Sequence, residues 1–367
     1  MPDPPEDDSL RTRNDGTRAP IWLDHEPILH LREWETDQVH PMPGPDIEDP
    51  VVGADPSVAV RLVDPTRSVS RRHARLIRVE GGWEIEDLHS RYGVRCDGGR
   101  ATSQRFLITA GMEIGIGGIT LVAENATLVR LKQYLERVLG WDTMRRPAIE
   151  LALRAVRAAA LGRAPLTLVG ADDVVAVARQ IHLRATRPGA PFVVCGKKPH
   201  ASDESLRVTA TIADASAALE RAAGGTVCVR ADKRFAGHGE LVGVTSKPQA
   251  VARLYQCTKK VSKRVDRAAS GIVIPKLARR SPEDLDRIVA EYATDAVREL
   301  GADPASFTEQ QRVWVVRYAT TSFAELEITA VRFAVRNAFE SMNQAAAYLG
   351  LSHVTLGDWF KRRKLRP

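Results

Sequence analysis

The chain has 367 residues, 44% hydrophobic and 27% charged, with a net charge of +7 and a pI near 9.4. The length suggests two or three domains, and these proportions are ordinary for a folded soluble protein. No apolar run approaches the roughly 20 residues that span a bilayer, so no membrane partner is expected, and the basic balance admits an acidic partner such as nucleic acid. The four cysteines, Cys96, Cys195, Cys228 and Cys257, lie far apart without CxxC spacing. They argue against a zinc site or a disulfide framework and fit a reducing cytosol. The N-terminal segment MPDPPEDDSLRTRNDGTRAP has no apolar core and is not a secretory signal. Residues 1–19 are expected to form a disordered tail. A cytoplasmic location is expected.

Short strand-like runs follow: Pro27–Arg32, Val51–Gly53, Val58–Val63, Ala74–Val79, Trp83–Leu88, Val94–Cys96 and Glu113–Val122. Turn residues such as Glu80-Gly81-Gly82 and Asp97-Gly98-Gly99 separate them. Many short strands at this spacing predict a β-sandwich over residues 20–125. Inside it lie Val69-Ser70-Arg71-Arg72-His73-Ala74, then Trp83–Val94 (WEIEDLHSRYGV), then Gly111-Met112-Glu113-Ile114-Gly115-Ile116-Gly117.

That succession resembles the forkhead-associated (FHA) domain. The resemblance implies an eleven-strand sandwich whose loops bind phosphothreonine peptides through cationic and hydroxyl donors around a dianionic phosphate. It places Ser70 and Arg71 at phosphate contacts and His73 at a position that braces the loop. Two residues depart from the pattern: the family's Gly-Arg is Gly53-Ala54, and its Ser-x-Asn-Gly-Thr is Ser90-Arg91-Tyr92-Gly93-Val94. Arg71, Arg72 or Arg91 would have to compensate. Two readings stand: residual phosphopeptide binding centred on Ser70, Arg71 and Arg91, or a sandwich that serves as an interaction or scaffold module and ignores phosphate.

Leu128, Leu131, Leu135 and Leu139 have helical spacing and predict a linker helix within residues 126–145. Ala148–Leu161 predicts a second helix. An α/β succession over 146–300 then begins with a buried strand, Pro165–Gly170, and a helix, Val174–Ala185. Strand–Gly–helix is the geometry of a phosphate loop. Here Gly170 stands alone, without a lysine, and Asp172 and Asp173 occupy the helix start, where an N-cap pair is the expected role. Further on, Ala217–Ala223 is helix-like, Gly224-Gly225 turns, and the apolar strand Thr226–Val229 ends in Arg230 and Ala231. A magnesium-dependent ATPase strand ends instead in carboxylates. Glu240–Ser246 is read as the next strand. Between Arg253 and Arg280 nine cations face one acid, Asp266, as a solvated face or a non-specific phosphate contact.

In order, Pro191-Phe192-Val193-Val194-Cys195, Asp203-Glu204-Ser205-Leu206, the Gly224-Gly225-Thr226 strand and Ile274-Pro275-Lys276-Leu277-Ala278-Arg279-Arg280 resemble the AAA+ domain of bacterial enhancer-binding proteins, the activators of sigma-54 RNA polymerase. The resemblance implies a nucleotide site at Gly170, Asp172, Asp173 and Arg230. It has lost the phosphate-loop lysine, both magnesium-strand carboxylates and the GAFTGA loop. Such groups act together, so no ATP hydrolysis, catalytic residue, cofactor or metal is expected. Arg230 is expected beside Asp172 and Asp173 as an ion pair.

Residues 301–367 are read as helical. Ser281–Leu300 ends at Gly301, Thr308–Tyr318 opens on a polar turn, and Phe323–Phe339 is amphipathic. Gln344–Leu365 joins an alanine-rich helix, a turn at Gly350 and an N-cap Ser352 to a second helix with Leu356 and Phe360 inward. This resembles the Fis-type helix-turn-helix that closes enhancer-binding proteins. The resemblance implies DNA contacts from Ser352, His353 and Thr355 at the recognition helix, with Lys361, Arg362, Arg363 and Lys364 on phosphates.

The expected protein is a multidomain, cytoplasmic, DNA-binding regulator, homodimeric or higher, with an FHA-like all-β front that meets a phosphoprotein or other protein partner, an α/β AAA+-like middle without ATPase parts, and an all-α end. Two alternatives are a phosphothreonine-peptide adaptor whose last helices only dimerise, and a working ATP-dependent sigma-54 activator.

Overall fold

The computed structural model describes residues 26–100, 105–162, 164–170, 174–196, 210–231, 237–245, 250–259 and 271–363. The first eleven strands are β1 (His30–Glu33), β2 (Val39–Pro41), β3 (Val51–Gly53), β4 (Val60–Arg61), β5 (Ala74–Val79), β6 (Gly82–Asp87), β7 (Val94–Cys96), β8 (Gly99–Arg100), β9 (Arg105–Ile108), β10 (Glu113–Ile116) and β11 (Ile119–Glu124). They form two sheets, ordered β2-β1-β11-β10-β7-β8 and β4-β3-β5-β6-β9. Side chains alternate as the pleat requires: Ala74 and Leu76 of β5 point inward, as do Trp83 and Ile85 of β6, and Leu76 lies opposite Ile85. The run Glu113–Val122 is not one strand. Gly117 takes φ of 58°, and a Cβ there would come within 2.7 Å of Ser68, so the chain folds into the β10–β11 hairpin.

Helix α1 (Ala126–Leu139) starts at Asn125, whose side chain accepts the Leu128 N–H at 2.9 Å. Expected as a linker, it is packed into the core: Leu128, Leu131, Tyr134, Leu135 and Val138 are buried. Helix α2 (Arg146–Ala160) lies beside it and meets the front sandwich along a line of charge. Arg32 of β1 is buried and binds Glu124 at 2.7 Å, Glu150 of α2 at 2.9 Å and Asp37 at 3.1 Å. Arg146 reaches Asp37 at 3.0 Å and Arg157 reaches Asp97 at 2.6 Å. Arg154 pairs with Glu113 and lies over the Trp34 ring at 4.2 Å.

A parallel sheet follows, built from β12 (Leu166–Gly170), β13 (Phe192–Cys195), β14 (Ala210–Ile212), β15 (Thr226–Arg230), β16 (Arg253–Thr258) and β17 (Gly271–Ile274), in the order β14-β13-β15-β16-β12-β17. Helices cover both faces, so both strand faces are apolar. Val193, Val227, Val229 and Leu254 pack against α4 (Ala215–Arg221) and α5 (His238–Thr245). Leu168, Val194, Cys228 and Tyr255 join the other core, with α2 and α3 (Val175–Ala185). Of the expected strand Glu240–Ser246, Glu240–Thr245 belongs to helix α5, where Leu241 and Thr245 share the buried face one turn apart, and Ser246 lies outside the described residues; the strand is supplied by Arg253–Thr258. Burial holds the imidazole of His182 down at about 4. The ring bridges α3 to the central strand, 2.8 Å from the Thr226 hydroxyl and 3.0 Å from the Ala190 carbonyl.

Helix α6 (Pro282–Leu300) is capped by Ser281 and ended by Gly301 in the left-handed region. Then come α7 (Glu309–Tyr318), α8 (Phe323–Ala338), α9 (Met342–Tyr348) and α10 (His353–Arg362). Phe333 of α8 is their hub, with ring centroids of Trp314, Phe307, Phe360 and Trp359 at 5.7, 5.9, 6.0 and 6.3 Å. Arg179 and Gln180 of α3 bind Glu327 of α8 at 3.1 and 2.8 Å, which ties this end to the sheet. No helix among the described residues is long and apolar enough to cross a membrane.

Candidate functional site

Three loops converge at one end of the sandwich. The first follows β3, the second spans Leu62–His73 and the third spans Leu88–Gly93. Their backbones bind one another. The N–H groups of Ala54 and Asp55 donate to the Ser70 and Arg71 carbonyls, each at 3.1 Å. The Arg91 N–H donates to the Ser70 hydroxyl oxygen at 3.2 Å. His73 is fully buried beneath them. Its Nδ1 accepts the Ser70 N–H at 3.1 Å, which leaves Nε2 to donate to the Gly93 carbonyl at 3.2 Å. Burial pushes its pKa down, so the neutral ring that these bonds require is the stable one.

Asp64 shapes the second loop. Its carboxylate accepts the N–H of Thr66 at 2.9 Å, the N–H of Val69 at 2.8 Å and the Ser68 hydroxyl at 2.7 Å. This is an Asx turn extended across the loop. The spacing Asp64-x-Thr66-x-Ser68 is the signal that sequence reading passed over, and Asp55-x-Ser57 repeats it, with the Ser57 N–H and hydroxyl on Asp55 at 2.9 and 2.6 Å.

Residues 51–117 match the family model described as the FHA domain. The chain carries an FHA domain. Among solved structures, the chain is similar to the FHA domain of CT664 from Chlamydia trachomatis (24% identity, TM-score 0.23, 27% of this chain and 95% of that one). It is also similar to the N-terminal FHA domain of S. cerevisiae Rad53p in complex with a phosphothreonine peptide (15% identity, TM-score 0.24, 27% and 93%). A third is Mycobacterium tuberculosis EmbR in complex with a low-affinity phosphopeptide (19% identity, TM-score 0.24, 27% and 24%). No curated protein matches the chain.

In the FHA domain, Ser70 is half-buried, while Arg71, Arg72 and Arg91 are exposed around it. Ala54 leaves the first loop without a guanidinium, and the next residue is an acid. Asp55 lies near Arg71 and Arg72, and its carboxyl is held below the ordinary range chiefly by the Ser57 hydroxyl. Arg72 also meets Asp49 at 3.6 Å, and Arg91 leans over the exposed Tyr92 ring at 5.2 Å. Around the Ser70 hydroxyl the loops thus place Arg71, Arg72 and Arg91, with Asp55 drawing on the same field. Gly53 is where two loops touch: a Cβ there would lie 2.1 Å from the Arg71 carbonyl oxygen. Gly53→Ala is expected to lower stability by about 1–3 kcal/mol, the range for overpacking. Urea unfolding would measure that loss, and amide shifts at Ser70 and Arg91 would locate the strain.

The second candidate surface is the last helix pair. The turn between α9 and α10 has the Gly350 N–H on the Ala347 carbonyl and the Leu351 N–H on the Ala346 carbonyl, at 3.0 and 2.9 Å, with Gly350 at φ of 68°. This is the Schellman arrangement. Ser352 caps α10 by accepting the Thr355 N–H at 3.0 Å, and its hydroxyl lies 2.8 Å from that of Thr355. Ser352, His353, Val354 and Thr355 are exposed, and so are Lys361 and Arg362. Arg363 is already engaged, paired with Glu325 at 2.8 Å and stacked on Trp359 at 4.3 Å. Arg332 lies over the same ring at 4.8 Å, and burial with Arg363 nearby pulls its pKa down to about 10. Lys364 lies outside the described residues.

In the α/β region, β12 ends at Gly170 beside Ile274, and a Cβ on Gly170 would strike the Val174 side chain at 2.4 Å. Helix α3 starts with Val174 as its N-cap residue and has no side-chain cap. Asp172 and Asp173 lie outside the described residues, and so does their expected pairing with Arg230. Arg230 ends the central strand β15, and the Ala231 N–H donates to the Cys257 carbonyl at 2.8 Å. Of the basic stretch, Lys260, Lys263, Arg264 and Arg267 lie outside the described residues. Arg253 and Arg280 do not form a solvated face. Each turns inward onto the carbonyl end of a helix, Arg253 onto Ala160 at 2.9 Å and Arg280 onto Leu139 at 3.0 Å.

Proposed function

We propose that this protein is a DNA-binding transcriptional regulator. Its last two helices act as a Fis-type helix-turn-helix, and its FHA domain senses or recruits a phosphothreonine-bearing protein. The α/β region is a spacer related to the AAA+ domain of sigma-54 activators. It performs no hydrolysis, and the active form is a dimer or higher oligomer.

The observation that carries the reading is the α9–α10 pair. Its tight turn, buried inner face and exposed first turn of α10 are what insertion into a major groove requires. Lys361 and Arg362, exposed at the far end of the same helix, suit phosphate contacts. An all-parallel sheet covered on both faces is the frame of a phosphate-binding α/β domain. The Arg230-Ala231 ending of β15 supports a frame without metal chemistry, because hydrolysis needs a carboxylate to hold magnesium.

The test is a salt-titrated mobility shift of the full chain on a mixed-sequence duplex. Affinity is expected to fall steeply with salt, and Lys361→Ala with Arg362→Ala is expected to flatten the log–log slope by about 2, near 0.9 per phosphate contact. Absence of a shift at low salt would overturn the DNA reading and favour the adaptor, whose FHA loops would still bind a phosphothreonine peptide through Arg71 and Arg91.

A further inference from the structure

Two polar clefts flank helix α6, and they differ in how their charge is balanced. The larger, about 830 Å³, lies among α1, α3, α6 and α8. Its arginines meet carboxylates: Arg137 binds Glu291 and Asp295, each at 2.7 Å, Arg184 shares Asp295 at 3.0 Å, and Arg287 takes Glu291 at 3.2 Å. That cleft is an ion-pair seam between helices.

The second cleft, about 680 Å³, lies where the chain leaves β17 and where α1 ends. One wall is Lys276, Arg279, Arg280 and Ser281; the other is Gly140, Trp141 and Arg145. Four cations face it against two carboxylates, Asp142 and Asp284. Asp142 is spent on its own turn, accepting the Met144 N–H at 2.9 Å. Arg145, Lys276 and Arg279 are exposed, and among the described residues none has an acidic partner within ion-pair distance.

Arg280 is held in place rather than free to turn away. Its guanidinium donates to the Val138 and Leu139 carbonyls, and Gly140, at φ of 121°, leaves the room: a Cβ there would lie 2.7 Å from Nη1. Burial lowers the pKa of Arg280; the Asp284 carboxylate offsets part of that, and Arg145 nearby adds repulsion. The N-terminal end of the 19-residue helix α6 opens beside this cluster and contributes its positive pole.

We propose that this cleft binds a small multivalent phosphate anion, a pyrophosphate or a phosphate ester of similar charge. Four guanidinium and ammonium groups facing two carboxylates, one of them spent on its own turn, keep an excess of positive charge and repel one another. A ligand carrying two or more negative charges relieves that repulsion, and guanidinium forks match phosphate oxygens in pairs. A monocarboxylate would neutralise only part of the excess. The site is separate from the FHA loops and from the surface of α10. Its two walls come from the ends of α1 and α6, so a bound anion would fasten the C-terminal helices to the helix that underlies the sandwich.

Isothermal titration of the full chain with inorganic pyrophosphate at low ionic strength tests this. Saturable binding is expected. Lys276→Ala with Arg279→Ala, two exposed positions, is expected to weaken it at least about tenfold, near 1.4 kcal/mol, with an unchanged melting curve in the absence of ligand. Arg71→Ala with Arg91→Ala should leave the affinity as it was. The proposal is overturned if the full chain gives no saturable heat, or if the Lys276/Arg279 variant binds as well as the parent. It is equally overturned if binding vanishes in the Arg71/Arg91 variant, which would place the anion in the FHA loops. A Lys276/Arg279 variant impaired only in DNA affinity, with no pyrophosphate binding in the parent, would assign these cations to a nucleic acid instead.

Discussion

Arg32→Ala is expected to destabilise the protein by about 3–5 kcal/mol, the range for removing one partner of a buried ion pair. Arg32 is 2% exposed and sits among Glu124, Glu150 and Asp37. Its own burial is costly, and the neighbouring carboxylates more than offset that cost, so the guanidinium stays charged. Taking it away leaves Glu150 in a buried site without its cation. Burial already holds the Glu150 carboxyl above the ordinary range, even with Arg32 beside it. A carboxyl whose folded pKa is raised takes up its proton more readily folded than unfolded. Its charge therefore costs stability at neutral pH, and the cost fades as the pH falls through the raised value. Without Arg32 the raised value climbs further. The deficit of the variant should be largest near neutral pH and should narrow on acidification. Urea unfolding at several pH values measures this. Arg32→Met combined with Glu124→Gln and Glu150→Gln should recover most of the loss, because uncharged replacements of similar volume escape the penalty. A pH-independent deficit, or no rescue, would rule out the electrostatic account.

The second large effect is expected at Phe333. Truncation to alanine should cost about 3–5 kcal/mol. The ring is 3% exposed and stands edge-on to Phe307, Trp314, Trp359 and Phe360. Each such pair adds about 0.5–1.5 kcal/mol beyond buried area. These partners come from the segment before α7 and from α7 and α10, so the loss falls on the C-terminal helices together. Tryptophan fluorescence during urea unfolding should report early loosening of this end while the FHA amide spectrum is kept, and on the function proposed above the DNA shift should weaken with it. Phe333→Leu, which keeps most of the volume, should retain roughly half of the stability lost on truncation. A cost under about 1 kcal/mol would mean that the cluster does not organise this end.

How much of this was legible in the chain depended on how local the signal was. Ala74–Val79 and Val94–Cys96 carry their own two-residue alternation, and their bounds come straight from the residues. Ser281, Gly301, Ser352 and Gly350 mark helix ends through backbone chemistry that needs no tertiary partner. Glu240–Thr245 misleads because ELVGVT has strand propensity, yet packing against α4 decides the outcome. Arg-Leu-Tyr-Gln-Cys-Thr at 253–258 hid its strand behind the surrounding charge. The charge network around Arg32 could not be read at all. Its members stand 92 and 118 residues apart, and no local pattern announces such a meeting. In the FHA domain the cationic loop was legible, while Asp55 and Asp64, which set the loop and its field, were not singled out, because their partners are hydroxyls and backbone N–H groups of small polar residues common to any turn.

The arginines of α2 have one more consequence. Arg146, Arg154 and Arg157, with Arg32 from the other side, fasten the sandwich at four points along a single helix. A module on a flexible tether samples a sphere, and the local concentration it supplies falls with tether length. A module bolted down in this way has no such sphere. Any protein captured at the peptide loops would be held at one bearing from helix α2, so the molecule would work as a gauge. On the function proposed above, selectivity would then rest on whether a partner's own surface arrives at the right reach, as well as on the residues that surround its phosphothreonine.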